Sequence, residues 1–237
     1  MVAVSRWWTR SGLSTRPGRR PEVRRPRQSW WTWLGVLGAL ARLGPRGPDG
    51  QPLPLPDRVP TGTTPDGDGV VVGIGPVTVE AYIDFQSPAS RQFQELAGPT
   101  LAELVRLGEI RLIYYPTNLL DGRSATQYST RAAAAAGCAA DAAKFVRYAS
   151  TLFAHQPPGG GSGLTDDELI ELGAAAGLSG PGFARCVRAG TYRDWPSYVT
   201  AAALGRGVDN TPSVFVDGHE VPARPDHILR AVHAVTG

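Results

Sequence analysis

The amino-acid sequence predicts an α/β fold with the element order β-α-β, helical insertion, β-β-α. One observation is an alternating apolar run at 77–85 that passes directly into a helical pattern, after which a second apolar run follows at 110–115. The other is an apolar run at 213–216, followed by an Asp-Gly turn, a short strand and a helix. Two strands joined by a helix form a parallel pair with a right-handed crossover, so we expect the first two runs to be parallel strands.

Local signals predict each element of the first half of the chain. A short strand at 70–72 precedes the alternating strand. Ser87 can cap the following helix, and Pro88 suits its first position because proline lacks the N–H that would be unpaired there. Apolar residues at helical spacing continue to Gly108, with an expected kink at Pro99.

The middle of the chain is predicted to be helical. Residues 129–153 form an alanine-rich stretch that predicts one helix, which the proline- and glycine-rich stretch 157–163 ends. A capping box at 165–168 opens another helix that ends near Gly177. The remaining elements are predicted as helices at 183–187, 194–204 and 226–235 and a strand at 219–221.

Charge divides the sequence into an N-terminal segment and a folded part. Residues 1–46 hold ten of the 24 Lys and Arg residues but only one of the 21 Asp and Glu residues, so residues 47–237 carry 14 basic against 20 acidic side chains. A basic face is the footprint of nucleic-acid binding, so we expect no nucleic acid on the folded part. Composition predicts a linker at 47–69 and a domain at 70–237, with its helical insertion at about 123–206.

The N-terminal segment has the order of features found in an export signal. Paired arginines precede an apolar run of 12 residues from Trp30 to Ala41, and Ala39-Leu40-Ala41 offers the small residues that a signal peptidase prefers. The run is shorter than the roughly 20 residues of a membrane-spanning helix. The segment predicts an extracytoplasmic protein, secreted or associated with the membrane through this segment; the alternative is an unstructured Arg- and Pro-rich extension.

Two stretches resemble the DsbA-type proteins of the thioredoxin fold: Tyr82-Ile83-Asp84-Phe85-Gln86-Ser87-Pro88-Ala89-Ser90 and Gly207-Val208-Asp209-Asn210-Thr211-Pro212-Ser213-Val214-Phe215-Val216-Asp217-Gly218. The resemblance covers about residues 70–237 and implies a thioredoxin fold with a helical insertion. It also implies that Pro212 is a cis-proline facing residues 87–90. Thr211 would then offer its backbone to an extended peptide or an unfolded exported protein.

The sequence departs from that family at its reactive positions. Ser87 and Ser90 stand where the family carries the two catalytic cysteines, and Ala81 stands where some members have a buried acid, with Glu80 beside it. Disulfide exchange needs a thiolate, whereas a serine hydroxyl is hardly ionised near neutral pH and forms no sulfur–sulfur bond. We therefore expect residues 87–90 to be redox-inactive and any remaining activity to be non-covalent peptide binding. Whether the chain is an enzyme stays open.

Cys138 and Cys186 are the only cysteines, and both fall on helices of the insertion. Their positions resemble those of the extra structural disulfide in actinobacterial DsbA-like proteins. The resemblance implies a Cys138–Cys186 bond and an oxidising compartment. Two buried free thiols and a relocated redox pair are the alternatives.

A second function follows from another resemblance. Kappa-class glutathione transferases and hydroxychromene-carboxylate isomerases share the fold and carry a similar Ser-Pro-x-Ser, whose first serine hydrogen-bonds a bound thiolate. Ser87 would then hold a low-molecular-weight thiol at a helix N-terminus. None of the four histidines has a spacing that places it beside Ser87 as a base, and the cysteines and histidines lack metal-ligand spacing, so we expect no hydrolase triad, metal or cofactor.

Overall fold

The computed structural model of the protein describes residues 44–236. The predicted export signal and membrane association therefore fall outside the described residues. Between residues 44 and 236, no helix is both long enough and apolar enough to cross a membrane.

The predicted element order is confirmed. The strands are β1 (Val70–Val72), β2 (Val77–Ile83), β3 (Ile110–Pro116), β4 (Ser213–Val216) and β5 (His219–Val221). The α-helices are α1 (Pro88–Arg106), α2 (Tyr128–Asp141), α3 (Phe145–Ala154), α4 (Asp166–Ala175), α5 (Pro181–Arg188), α6 (Trp195–Gly205) and α7 (Pro225–Thr236).

Within the described residues, the strands form one mixed sheet in the order β1-β3-β2-β4-β5. Strands β2 and β3 are parallel, with Tyr82 opposite Tyr115, whereas the other neighbours are antiparallel. The sheet therefore places the end of β2 beside the start of β4, where Tyr82 pairs with Ser213. This pairing brings residues 87–90, which follow β2, close to Thr211 and Pro212, which precede β4.

Alternation along β2 builds the core beneath α1 and α7. Val79, Ala81 and Ile83 are fully buried, and they belong to one apolar cluster with Leu101 of α1 and Ile228 of α7. Burying such side chains contributes roughly 1.5–3 kcal/mol each for the larger ones. Helix α1 is thereby held against the sheet, with its first residue at the carboxyl end of β2.

The prediction of a single helix over 129–153 was wrong, because the chain breaks between α2 and α3. Ala143 adopts a left-handed conformation with φ of 53°. Its N–H donates to the carbonyl of Ala140 at 2.8 Å, and the N–H of Lys144 donates to Ala139 at 2.9 Å, which closes the end of α2. Alanine-rich sequence gives no local warning of this turn, since alanine has the highest helix propensity.

The segment predicted as a linker packs against the domain in its second half. The indole Nε1 of Trp195 donates to the carbonyl of Gly67 at 2.7 Å. Asp68 is buried and pairs with Arg206 at 2.5 Å. These partners lie 128 and 138 residues further along the chain, so the local abundance of proline and glycine could not reveal the contacts.

Candidate functional site

Ser87 joins the start of α1 to the turn before β4. It is the N-cap of the helix, and its Oγ accepts a hydrogen bond from the backbone N–H of Ser90 at 3.2 Å. The same hydroxyl donates to the backbone carbonyl of Thr211 at 3.1 Å. Only 4% of Ser87 is exposed. In the DsbA-type proteins that this sequence resembles, this position carries the first cysteine. Here it holds a hydroxyl group whose only proton is used in the hydrogen bond to Thr211.

Ser90 lies behind Ser87 and is fully buried. Its Oγ accepts a hydrogen bond from the backbone N–H of Asp84 at 3.3 Å. The side chain thus ties the first turn of α1 to the end of β2. Solvent and dissolved molecules do not reach this hydroxyl.

Asp84 is a buried carboxyl group that the sequence analysis did not single out. Its Oδ1 accepts from the hydroxyl of Ser129 at 2.6 Å and from the N–H of Gln86 at 2.8 Å, and its Oδ2 accepts from the N–H of Leu120 at 2.9 Å. Burial raises the pKa of Asp84 to about 6, although the three donors favour the ionised form and act in the opposite direction. The group is mainly ionised at neutral pH and holds three segments of chain together. The sequence feature that could have indicated this buried acid is a single aspartate between apolar residues at the end of a strand.

Two glutamine side chains fix the loop between β2 and α1. The amide of Gln156 donates to the carbonyls of Phe85 and Ser87 at 2.9 and 3.0 Å. The amide of Gln86 donates to the carbonyl of Leu120 at 2.6 Å. Gln156 lies two residues after the end of α3 and 69 residues beyond Ser87. No sequence spacing predicts that it contacts the serine motif.

The Thr211–Pro212 peptide bond is cis. The carbonyl of Thr211 accepts from Ser87, whereas no acceptor among residues 44–236 bonds to its N–H. A shallow groove of about 390 Å³ begins at Pro212 and runs along Val221, Pro222 and Ala223. Thr211 directly precedes this groove in the chain and keeps a backbone N–H without an acceptor among the described residues.

Neither position 81 nor Glu80 supplies a buried carboxyl group to this site. Position 81 is an alanine of the core. Glu80 accepts a hydrogen bond from the hydroxyl of Tyr115 at 3.0 Å on the sheet. The buried carboxyl group that contacts the backbone beside the serines is Asp84.

The cysteines take no part in the contacts of Ser87, Ser90 and Thr211. Cys138 of α2 and Cys186 of α5 form a disulfide, so the predicted pairing is confirmed. His155 bonds to the carbonyl of Thr151, and no hydrogen bond between a histidine and Ser87 is present in the described part of the chain. The same part contains no cluster of three or more His, Cys, Asp or Glu residues that could hold a metal ion.

The sheet order, the helical insertion and the serine motif opposite a cis-proline define a DsbA-like protein of the thioredoxin fold. The family model described as thioredoxin matches residues 70–234. The chain belongs to this thioredoxin family, and the predicted family and fold class are confirmed.

Several solved structures are similar to this chain. The reduced disulfide bond oxidoreductase DsbG of Mycobacterium tuberculosis is 32% identical, with 72% of this chain and 88% of that chain covered and a TM-score of 0.64. Reduced DsbA of the same organism is also 32% identical, with 72% and 93% covered and a TM-score of 0.63. MdbA, a thiol-disulfide oxidoreductase of Actinomyces oris, is 20% identical, with 70% and 88% covered and a TM-score of 0.60, a likeness of fold alone. Comparison with curated proteins found no match.

Proposed function

We propose that this DsbA-like protein binds extended peptides non-covalently beside Thr211 and Pro212, and that residues 87–90 catalyse no thiol–disulfide exchange. The observation that carries the proposal is the 3.1 Å hydrogen bond from the hydroxyl of Ser87 to the carbonyl of Thr211. It places the serine at the reactive position directly against the backbone that would receive the peptide.

The chemistry of position 87 supports the loss of exchange. Exchange requires a thiolate that attacks one disulfide sulfur and later leaves as a thiolate. The helix N-terminus at Ser87 would stabilise such an anion, but a hydroxyl does not ionise there near neutral pH. The helix N-terminus that would stabilise a thiolate is present, but the sulfur atom that would carry the negative charge is not.

The backbone around the cis-proline supports peptide binding. An extended peptide can add to an exposed main-chain edge through backbone hydrogen bonds, and neighbouring pockets then select its side chains. The N–H of Thr211 is such a donor, and the groove beside it is lined by Val221 and Pro222. We therefore assign an extended or unfolded polypeptide as the ligand.

An extracytoplasmic location fits this assignment. Disulfides persist in oxidising compartments and are rare in the cytosol, and both cysteines of this chain are joined in one. The export-like order of residues 1–46 supports the same location.

The first experiment compares the wild-type protein with a Ser87→Cys/Ser90→Cys variant in the reduction of a model disulfide peptide. We expect the wild type to be no faster than buffer and the variant to catalyse the reaction. Exchange by the wild type overturns the proposal. A Cys138→Ala/Cys186→Ala variant then shows whether such activity comes from a relocated redox pair.

The second experiment measures binding of a fluorescent, alkylated unfolded polypeptide by anisotropy. Ser87→Ala releases the carbonyl of Thr211 for the peptide, so we expect affinity to rise about fivefold, equivalent to one hydrogen bond of about 1 kcal/mol. Thr211→Ala is the matched control, because the backbone rather than its side chain makes the contact. Thiol-blocking reagents should change nothing.

The glutathione transferase-like alternative predicts the opposite response to the same variant. It requires saturable glutathione binding that Ser87→Ala weakens, since the hydroxyl would hold the thiolate. Absence of peptide binding by both wild type and Ser87→Ala contradicts the proposal.

A further inference from the structure

A second cavity of about 740 Å³ lies between β1, α1 and the start of α3. None of Ser87, Ser90, Thr211 and Pro212 lines it, and it shares no lining residue with the groove at Pro212. Its volume falls in the range of about 300–1,000 Å³ found for small-molecule sites. The cavity is therefore large enough for a ligand of its own.

The inner wall of this cavity is apolar. Val71 and Val72 of β1, Val105 of α1 and Val146 of α3 line it and are each only partly buried. Apolar surface that a ligand covers here is removed from water, which favours binding. The wall thus favours a hydrocarbon chain over a polar molecule.

The rim of the cavity carries two cations without acidic partners. Lys144 and Arg147 line it, and no carboxylate of the described residues forms a salt bridge with either side chain. Asp141 also lies at the rim, but its two oxygens already accept from the N–H of Thr61 at 3.0 Å and from the hydroxyl of Tyr192 at 2.5 Å. Two cations and one carboxylate line this rim, so these three side chains leave a net charge of about +1 there.

This positive rim contrasts with the charge of the folded part. Residues 47–237 carry 14 basic against 20 acidic side chains, and Lys144 is the only lysine of the whole sequence. Eight of these 14 basic side chains form no salt bridge within the described residues, and Lys144 and Arg147 are two of the eight. Their position at the mouth of its apolar cavity is complementary to a ligand with a hydrocarbon tail and an anionic head.

We propose that the cavity binds a free long-chain carboxylate. The hydrocarbon chain lies along the valines, and the carboxylate pairs with Lys144 and Arg147 at the rim. Charge-assisted hydrogen bonds to a carboxylate are about twice as strong as neutral ones. This site is independent of the proposed peptide groove, so each can fail without the other.

The test is titration of the full-length protein with palmitate, followed by isothermal calorimetry, with butyrate and methyl palmitate as matched probes. We expect saturable 1:1 binding of palmitate, at least tenfold weaker binding of methyl palmitate because it lacks the anion, and no binding of butyrate because it lacks the tail. Absence of palmitate binding, or equal binding of its ester, overturns the proposal. So does preferential binding to phosphatidylglycerol vesicles, which would indicate a lipid surface instead.

Two pairs of variants locate the site. Ala102 is an exposed residue of α1 that lines the cavity, so Ala102→Trp fills it, whereas Ala174→Trp places the same ring on the exposed side of α4. We expect at least a tenfold loss of palmitate affinity for the first and none for the second, with the folding of both verified by circular dichroism.

The Lys144→Gln/Arg147→Gln variant should lose about tenfold in palmitate affinity. The control variant Arg123→Gln/Arg185→Gln removes the same charge elsewhere and should not lose affinity. Equal binding within either pair contradicts the site.

Discussion

At the scale of single residues, Asp84 shows how burial changes the energetics of a side chain beside the serine motif. Its carboxyl group has no exposed surface, and burial raises its pKa from 3.8 to about 6. In the unfolded chain the group releases its proton near pH 4, whereas in the folded chain it does so near pH 6. Asp84 therefore lowers the free energy of unfolding as the pH rises through this window, and the shift corresponds to about 3 kcal/mol.

Replacing Asp84 by Asn should remove this pH dependence. We expect the difference in unfolding free energy between variant and wild type to shift in favour of the variant by about 2 kcal/mol between pH 4 and pH 7. Urea unfolding at several pH values measures it, and the slope rather than the absolute stability is the readout, because Asn cannot accept all three hydrogen bonds. The exposed Asp167 supplies the control variant, Asp167→Asn. An unchanged slope in Asp84→Asn would show that the carboxyl group titrates alike in both states.

Site residues whose role depends on neighbouring residues in the sequence could be predicted from it. Ser87 is predicted as a helix cap because it stands before a proline and a helical pattern. The roles of Asp84 and Gln156 could not be predicted from the sequence. The apolar neighbours of Asp84 do not indicate which segments donate hydrogen bonds to it. Gln156 contacts the serine motif only because α3 packs beside it. Contacts between distant segments depend on the assembled fold.

At the scale of elements, the break between α2 and α3 is the clearest difference from the sequence prediction. The two alanines at this break differ in conformation, since Ala142 has a φ of −95° and Ala143 a φ of 53°. A left-handed conformation costs an L-residue roughly 1–2 kcal/mol, whereas glycine adopts it without this cost. The break persists because Phe145, Tyr148 and Leu152 of α3 are buried in the core.

Glycine at these two positions should have opposite effects. We expect Ala143→Gly to raise the free energy of unfolding by about 1 kcal/mol, after allowance for the greater freedom of glycine in the unfolded chain. Ala142→Gly should lower the free energy of unfolding by up to about 1 kcal/mol, since glycine there only adds conformational freedom to the unfolded chain and relieves no left-handed residue. Chemical denaturation of both variants measures the pair. Destabilisation of equal size in both would argue against strain at Ala143.

The strands and most helices could be predicted because their patterns are local. Alternation in β2, the capping box before α4 and the Asp-Gly turn between β4 and β5 each act over a few residues. Helix α2 differs: Ala132 to Ala136 favour helix equally at every position, so only tertiary contacts decide where it ends. The packing of residues 66–68 likewise depends on Trp195 and Arg206 far along the chain.

At the scale of the whole molecule, the Cys138–Cys186 bond constrains the helical insertion. It joins α2 to α5 across a sequence separation of 48 residues. In the chain-entropy model, a loop of that size contributes about 4 kcal/mol by restricting the unfolded chain. The bond therefore supplies a large share of a typical stability of about 5–15 kcal/mol.

Removal of the bond should be costly to stability and neutral to peptide binding. We expect Cys138→Ala/Cys186→Ala to unfold with a free energy lower by about 4 kcal/mol, and dithiothreitol to have a comparable effect on the wild type. The reductant should not affect the alanine variant, which controls for its other actions. A loss below about 1 kcal/mol would indicate that packing between α2 and α5, rather than the bond, stabilises the insertion.

The same disulfide has a consequence for how the protein matures. The similar solved structures include a disulfide bond oxidoreductase, whereas this chain has serine at positions 87 and 90 and no cysteine outside the bond. The sequence has no third cysteine that could exchange with this pair, so an oxidant from outside the chain must join the two sulfurs.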